Sequence, residues 1–338
     1  IVLPHTLEFV GEYAFYGRQA RGELVMTDNL RYVQHGAFHQ ARFTGTFYLS
    51  PNIEYIGEGA FEDCGDRLSG DIVIPQSMTE IPGDTFRINF ANGTNLYLHD
   101  GVTRIGDSAF AALKIKNTIR WPNRLRFIDK NAFWECGMVI DNLQLPSSIK
   151  LIGHGAFWQN NILGELVLPE HLEIVSHGTY GRSQITSLVV GDSYIHIGPD
   201  AFAGCSRLQK VYLGKNVDYI DTSVFSGCHS LQTIICMAEE PPIIRGNTFE
   251  GVDYEKCIVQ VPEKSVGIYR NTNYWKQFKN ITAYKELAFN IPEIVSMDKG
   301  SVSEGIIRAE GAWEVIECLS WVTISPSSPS YSIEVKYD

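Results

Sequence analysis

The stretch Ile56-Gly57-Glu58-Gly59-Ala60-Phe61-Glu62-Asp63-Cys64 decides the fold, because variants of it recur along most of the chain. An aromatic residue takes the place of Phe61 in every copy, and successive aromatics lie 22 to 25 residues apart. A period of this length is the signature of a stacked solenoid. The aromatic position is held in turn by Phe15, Phe38, Phe61, Phe86, Phe110, Phe133, Phe157, Tyr180, Phe202, Phe225 and Phe249.

Two short apolar segments accompany the phrase in most units. One is typified by Ile72-Val73-Ile74, and the other, by Ile53-Glu54-Tyr55-Ile56, runs directly into the phrase. Alternation at period two turns the apolar residues inward and leaves one residue facing outward. Stacked in parallel at a spacing of about 4.8 Å, such segments form continuous sheets. We therefore predict a mainly β solenoid of about 11 units of 22–25 residues.

The residues around the aromatic predict how each unit turns its corner. A glycine often follows the second segment, as at Gly57, Gly106, Gly153 and Gly198, and we expect it to adopt positive φ in a tight turn. The Ala-Phe pair then fills the core at the corner.

Four cysteines lie three residues after the repeat aromatic, at Cys64, Cys136, Cys205 and Cys228. They share one column of the solenoid, and a small buried thiol suits that position. The alternative is a disulfide between Cys205 and Cys228, which lie in adjacent units.

Charge and hydropathy exclude several classes of protein. The net charge is −11, with 39 acidic and 28 basic residues, which argues against nucleic acids and anionic membranes as partners. No run of 18 apolar residues is present, so the sequence predicts no transmembrane segment.

The repeat pattern, apolar-x-x-Ile-Gly-x-x-Ala-Phe-x-x-Cys followed by Leu-x-Leu-Pro, resembles the BspA-like leucine-rich repeats of bacterial surface proteins. The stretches 207–213, 68–72 and 163–166 resemble the linking segments of that family, and the likeness covers residues 1–281. It implies a curved right-handed solenoid that is exported and binds host or microbial macromolecules. We expect a monomer that is secreted or held on the outer cell surface, with its signal or lipoprotein anchor and an N-terminal cap upstream of Ile1.

The chain is predicted to contain two domains. Residues 1–284 form the solenoid, and its last part, 241–284, is a cap whose aromatic residues cover the final coil. Residues 285–338 form a small module of short strands with turn residues at 325–330. The sequence around Trp313 and Trp321 resembles the BACON domain, a bacterial β-sandwich often attached to polysaccharide-degrading or adhesive proteins. Both tryptophans suit a core, and a sugar platform is the alternative.

Catalytic motifs are missing from the sequence: it has no nucleophile elbow, HExxH zinc motif, phosphate loop or dinucleotide fingerprint. We therefore predict a protein that is not an enzyme and has no cofactor. His154 and His177 share a column and would stack about 5 Å apart, close enough to share a metal ion. The same column also holds Glu58 and Lys130, which is typical of a tolerant surface turn, so we predict no metal site.

Outward-facing strand residues are the candidates for recognition. Exposed aromatic stripes on a rigid scaffold are typical of partner surfaces. The alternative is that these residues pack on one another along the sheet and stabilise it. The candidates are Phe9, Tyr32, Tyr55, Arg104, Phe127 and Tyr219 in the second segment and Tyr48, Tyr97, Arg120 and Tyr212 in the first.

Two functions follow from these observations. The first is an exported, non-enzymatic binding or adhesion protein that presents its repeat surface to a protein or glycan. The second is an array that acts as a spacer while the C-terminal module binds carbohydrate.

Overall fold

The computed structural model describes residues 2–17, 19–65, 67–87, 93–284, 306–307, 322–327 and 330–335. The chain divides into two compact units, Ile1–Ala283 and Tyr284–Asp338.

A continuous stack of aromatic rings runs through the interior of the first unit. All ten neighbouring pairs in the series from Phe15 to Phe249 are stacked, with ring centroids 5.2–5.8 Å apart and ring planes within 23° of parallel. Parallel, offset rings at this spacing are a favourable aromatic arrangement and bury a large area for each unit. The predicted parallel β solenoid is confirmed, and its curvature and handedness remain implications of the family resemblance.

The corner around most of the aromatics uses left-handed backbone at two points, two residues before and two residues after the ring, whereas before Phe249 it lies three residues away, at Gly246. Around Phe133, for example, Asn131 has φ 55° and Glu135 has φ 53°. The expectation that Gly57, Gly106, Gly153 and Gly198 carry positive φ is wrong, because left-handed backbone begins two residues later.

Close approach between coils explains those glycines instead. A Cβ atom added to Gly153 would lie 2.5 Å from the backbone nitrogen of Lys130, and one added to Gly57 would lie 2.3 Å from that of His35. Such contacts are shorter than real Cβ atoms make, so the neighbouring coil would have to move. At these positions glycine therefore lets the backbone of the neighbouring coil come this near.

The second apolar segment forms two-residue strands, in which the first residue faces outward and the second is buried. Their pairing is parallel throughout. We call them the short strands: Phe9–Val10, Tyr32–Val33, Tyr55–Ile56, Glu80–Ile81, Arg104–Ile105, Phe127–Ile128, Leu151–Ile152, Ile174–Val175, His196–Ile197, Tyr219–Ile220 and Ile243–Ile244.

The remaining strands of the solenoid are also parallel and vary in length, and we call them the long strands. Seven of them, from Val139 to Ala283, form one sheet in chain order. They are Arg21–Glu23, Arg42–Thr46, Arg67–Ser69, Ile72–Val73, Leu96–Tyr97, Val139–Asp141, Asn161–Val167, Gln184–Val190, Lys210–Leu213, Thr233–Cys236, Ile258–Val261 and Asn280–Ala283.

The prediction that the first apolar segment of each unit forms a strand is wrong in some units. The stretches 47–49, 119–121 and 143–145 do not form strands. In several units the linker that precedes the predicted segment forms the strand instead, as in Arg42–Thr46 and Val139–Asp141. At one such place Asn117 explains the break, because its side chain accepts from the Leu96 nitrogen and donates to the Leu96 carbonyl, both at 2.9 Å. The Asn117 amide thus takes up both backbone groups of Leu96, with which a strand in the next coil would otherwise have paired.

The column three residues after each aromatic supplies buried hydrogen-bond donors. The thiols of Cys136, Cys205 and Cys228 donate to the carbonyl of the preceding unit's aromatic residue, and the Asn160 amide does the same at 2.6 Å from Phe133. Cys64 is buried as well and forms no disulfide, and burial raises the pKa of each of these thiols. The prediction of buried thiols is confirmed, and the Cys205–Cys228 disulfide is wrong.

The last part of the first unit changes from rings stacked in parallel to rings packed edge-on. Phe249 meets Phe278 at 5.2 Å and 85°, and it meets Trp275 at 6.0 Å and 60°. Trp275 is fully buried and donates its indole N–H to the Pro242 carbonyl at 2.9 Å. This segment holds the 3-10 helices Glu263–Ser265 and Trp275–Gln277, the α-helix Val266–Asn271 and the final long strand.

The second unit contains three described strands, Ile306–Ile307, Val322–Ser327 and Ser330–Val335, in an antiparallel sheet with the last strand central. The expected turn at 325–330 is shorter than predicted, because strand pairing continues to Ser327 and Ser330. The predicted strands around 287–289 and 313–315 lie outside the described residues, as do Trp313 and Trp321.

Candidate recognition surface

The short strands place their first residues in a single outward column. Because the register is parallel and unshifted, each residue lies beside the equivalent residue of the next coil. The pairing runs in three stretches: Phe9, Tyr32 and Tyr55; then Glu80, Arg104, Phe127 and Leu151; then Ile174, His196, Tyr219 and Ile243.

The first stretch is the most aromatic. Phe9 is 54% exposed and Tyr55 48% exposed, whereas Tyr32 is half-buried between them. The Tyr32 hydroxyl donates to Glu54 at 2.6 Å, and Arg31 pairs with the same carboxylate. These bonds, that of Tyr32 first, lower the pKa of Glu54. The three predicted residues are therefore brought together, and the central one is held in a fixed orientation.

The second stretch combines charge with an aromatic ring. The guanidinium of Arg104 lies 5.4 Å from the ring centre of Phe127 and donates to Asp129 at 2.7 Å. Arg126 approaches the same ring at 5.8 Å. Both contacts are cation–π interactions; that of Arg104 joins neighbouring coils, and that of Arg126 lies within one coil. Arg104 and Phe127 thus contribute to sheet packing as well as to the surface.

The third stretch is mainly aliphatic at its ends, with Ile174 56% and Ile243 65% exposed. Its centre is an aromatic pair, His196 and Tyr219, packed edge-on at 4.7 Å. Arg245 lies 5.3 Å from the Tyr219 ring. Tyr219 is half-buried as a result.

The four candidates of the first segment are more dispersed. Tyr97 is 46% exposed in a long strand beside Val73, and Tyr212 is half-buried in another. Tyr48 and Arg120 lie outside strands, and each reaches an aspartate of the preceding unit, Asp28 or Asp100, at 2.8 Å. Two of the four thus lie in strands and two outside them, in contrast to the short-strand column, whose residues all lie in strands.

Tyr212 borders a groove of about 680 Å³ near the C-terminal end of the solenoid. Its rim carries Asp192, Asp218 and Glu240, and Lys215 pairs with Asp192 at 3.3 Å. The groove is strongly acidic, in keeping with the net charge of the chain.

A second surface was missed by the sequence reasoning. It lies at the corners of the coils. There the residue two positions before each interior aromatic meets the residue one position after it, and over the first units these residues line a groove of about 450 Å³. We call it the corner groove. Reading the column one residue after the aromatic would have found it, because that column runs Tyr16, His39, Glu62, Arg87, Ala111, Trp134 and Trp158.

The corner groove holds two exposed tyrosines, Tyr13 at 49% and Tyr16 at 53%. Their rings meet edge-on at 5.7 Å, and Tyr16 stacks on His39 at 5.4 Å. His39 pairs with Glu62 Oε2 at 3.0 Å, and Arg87 pairs with Glu62 Oε1 at 3.1 Å. Burial, as the largest cause, raises the pKa of Glu62.

The histidines His154 and His177 lie side by side in adjacent coils, with ring centres 5.9 Å apart and ring planes tilted by 50°. His177 pairs with Asp200 at 3.2 Å. Among the described residues, no three histidine, cysteine or acidic side chains are grouped so that they could hold a metal ion. No helix in the described part of the chain has the length and apolar character that a membrane crossing requires.

Comparison with known proteins gives a family and a set of distant structural likenesses. The family model described as "BspA type Leucine rich repeat region (6 copies)" matches residues 1–92, 88–209 and 196–293. No curated protein matches the chain.

Two solved structures are similar to the chain. One is a leucine-rich repeat protein from Bacteroides ovatus ATCC 8483, with 19% identity, coverage of 84% of this chain and 83% of that one, and a TM-score of 0.46. The other is a leucine rich cell surface protein from Faecalibacterium prausnitzii A2-165, with 19% identity, coverage of 84% and 79%, and a TM-score of 0.43.

The family match extends over most of the chain and coincides with the coils that the aromatic stack holds together. The chain therefore belongs to the BspA-type leucine-rich-repeat family.

Proposed function

We propose that this protein is an exported, non-enzymatic binding or adhesion protein that recognises a host or microbial protein or glycan through its repeat surface. The observation that supports this most directly is the short-strand column. It places Phe9, Tyr32 and Tyr55 side by side on a scaffold whose interior is fixed by the aromatic stack. Aromatic side chains offer a large contact area at a small entropic cost, which suits a partner surface.

The character of the column changes along the solenoid, which supports recognition of an extended partner. It passes from aromatic residues at Phe9 and Tyr55 to charged residues at Glu80 and Arg104, and then to aliphatic residues such as Ile174. A partner that covered several coils would meet each type of contact in a fixed order.

The placement outside the cell belongs to the same proposal. Surface display fits a repeat family described as BspA type, and secretion and anchoring are proposed with it.

The second candidate keeps the repeat array as a spacer. In it the C-terminal unit is a BACON-like module, and that module binds carbohydrate. Its support is the antiparallel strand pairing of Val322–Ser327 with Ser330–Val335, which is the pattern a small β-sandwich uses.

One experiment separates the two candidates. The full chain and its Tyr32→Ser/Tyr55→Ser/Phe127→Ser variant are screened against immobilised extracellular matrix proteins and a glycan array. A Trp134→Ser variant, altered at a corner of the coil and away from the short strands, serves as the control. The first candidate predicts binding that the triple variant loses and the control keeps. Carbohydrate binding that all three proteins share, and that a Tyr16→Ser variant of the corner groove also keeps, would contradict it and favour the C-terminal module.

A further inference from the structure

We infer that the corner groove is a binding site for a neutral pyranose residue of a glycan. The site goes beyond the short-strand surface and does not depend on it, because its residues lie around the corners rather than on the strands. Its volume of about 450 Å³ lies within the range of about 300–1,000 Å³ that small-ligand sites occupy.

Tyr13 is held in the groove against a backbone preference. It has φ 51°, in a column where the following units carry residues that tolerate left-handed backbone, such as Gly36, Gly59 and Asp84. A bulky side chain in this region is an outlier and costs free energy. The ring lies directly against Gly36, where an added Cβ would be 2.4 Å from Tyr13 Cε1. The groove thus keeps a fixed aromatic wall that the fold does not require.

Tyr16 provides the second aromatic surface. Its ring is about half exposed, and it is supported from behind by the His39 imidazole, which stacks on it with the planes 24° apart. A pyranose has one face of C–H groups, and an exposed ring backed by another flat group can pack against that face while the sugar hydroxyls point to the rim.

Glu62 supplies the oriented polar group. Its side chain is only 18% exposed, and its two carboxylate oxygens are held by His39 and Arg87. A carboxylate that is partly desolvated and fixed in this way accepts hydrogen bonds from ligand hydroxyls without further ordering. Glu62 therefore selects a ligand that carries hydroxyl donors.

The charge of the groove selects a neutral ligand. Three carboxylates line it, those of Glu58, Glu62 and Asp84, and among the residues that the structure describes one guanidinium, that of Arg87, borders it. A sialylated or sulfated sugar would meet like charge, which disfavours binding. A cationic ligand would have to compete with Arg87 for Glu62. Because the two tyrosines and the carboxylates of the groove also attract cations, a cation serves as the competing ligand in the test.

The test uses the full chain and saturation-transfer NMR with methyl pyranosides of glucose, galactose and mannose, each at millimolar concentration. We expect saturation transfer to at least one of them and about a tenfold weaker affinity in Tyr16→Ser and in Glu62→Gln. Both changes lie at the surface of the coil, and thermal unfolding checks that each variant is folded. Trp134→Ser, which removes an aromatic from the same column outside the groove, should bind like the unaltered chain.

Three results would overturn the inference. The first is no transfer to any of the pyranosides. The second is equal transfer in Tyr16→Ser, Glu62→Gln and the unaltered chain. The third is preferential binding of sialyllactose or choline over the neutral sugars. A Tyr55→Ser variant, altered on the short-strand column, distinguishes this site from the proposed function, because it should keep pyranoside binding.

Discussion

The interior aromatic stack and the outward column of the short strands repeat with the same period, yet they tolerate change very differently. The stack holds an aromatic ring at every coil from Phe15 to Phe249. The column varies from Phe9 through Glu80 and Arg104 to Ile243. A buried ring must match the rings above and below it, whereas an exposed residue has to satisfy only its neighbours and the solvent. The comparison teaches that the stack encodes the fold, and it supports our proposal that recognition uses the columns that are free to vary.

The largest expected effect comes from breaking the stack. Phe133→Ala removes a fully buried ring that stacks on Phe110 and Phe157. We expect it to lower the free energy of unfolding by about 3–5 kcal/mol, measured by chemical denaturation. Phe9→Ala is the matched control, because its ring is half exposed on the variable column, and it should change stability by no more than about 0.5 kcal/mol. Equal losses in the two variants would contradict the distinction.

A smaller effect is expected from altering the spacing between coils. Gly153→Ala places a methyl group 2.5 Å from the backbone of Lys130, so it should destabilise the protein by about 1–3 kcal/mol. Gly191 has no atom within 4 Å of an added Cβ and no positive φ. There the change to alanine should be neutral or should stabilise by about 0.4–1 kcal/mol, because it restricts the unfolded chain. The same denaturation measurement decides, and a neutral Gly153→Ala would refute close approach as the reason for that glycine.

The outward column should contribute modestly to stability. In Tyr32→Ser, Tyr55→Ser and Phe127→Ser, each change removes a cross-strand contact of about 0.2–1 kcal/mol. Phe127 should be the costliest of the three, since Arg104 and Arg126 both approach its ring. The three single variants are compared by thermal unfolding. A loss at Tyr55 as large as that at Phe133 would show that the column is part of the core.

The smallest expected effect is the pH response of one surface carboxylate. The hydrogen bond from Tyr32 and the pairing with Arg31 lower the pKa of Glu54 in the folded protein. The stabilisation is therefore present above the ordinary pKa of a glutamate and disappears as pH falls through the lowered value. NMR titration of the Glu54 carboxyl should give a low midpoint that rises in Tyr32→Phe. An unchanged midpoint in that variant would contradict the assigned cause.

Much of the fold follows from the sequence because the period is carried by residues that must have a similar size and shape to pack in the same place. The spacing of Phe61 and its equivalents predicts the stack, and the alternation in 53–56 predicts which residue faces outward. The role of Gly57 could not be read in this way, because positive φ and close approach both call for glycine. Distinguishing them requires the position of the neighbouring coil, here the backbone of His35.

The candidate sites were harder to predict for a related reason. The short-strand column was visible because its residues lie next to a conspicuous apolar pattern. The corner groove was not, because Tyr16, His39 and Glu62 are each unremarkable turn residues within their own units. They become a site only when stacking brings three coils together. Side-chain amides that interrupt strands, such as that of Asn117, likewise act on a coil other than their own.

The non-parallel packing of Trp275 and Phe278 against Phe249 has a consequence for how such arrays change in length. Parallel rings present the same face at every step, so a unit can be duplicated or deleted within the series without altering the contact between the remaining units. The rings after Phe249 break that equivalence, because a further unit placed beyond them would find no parallel face to join. We therefore expect copy number among relatives to vary between the first unit and the cap, with the terminal aromatic cluster inherited as one indivisible piece.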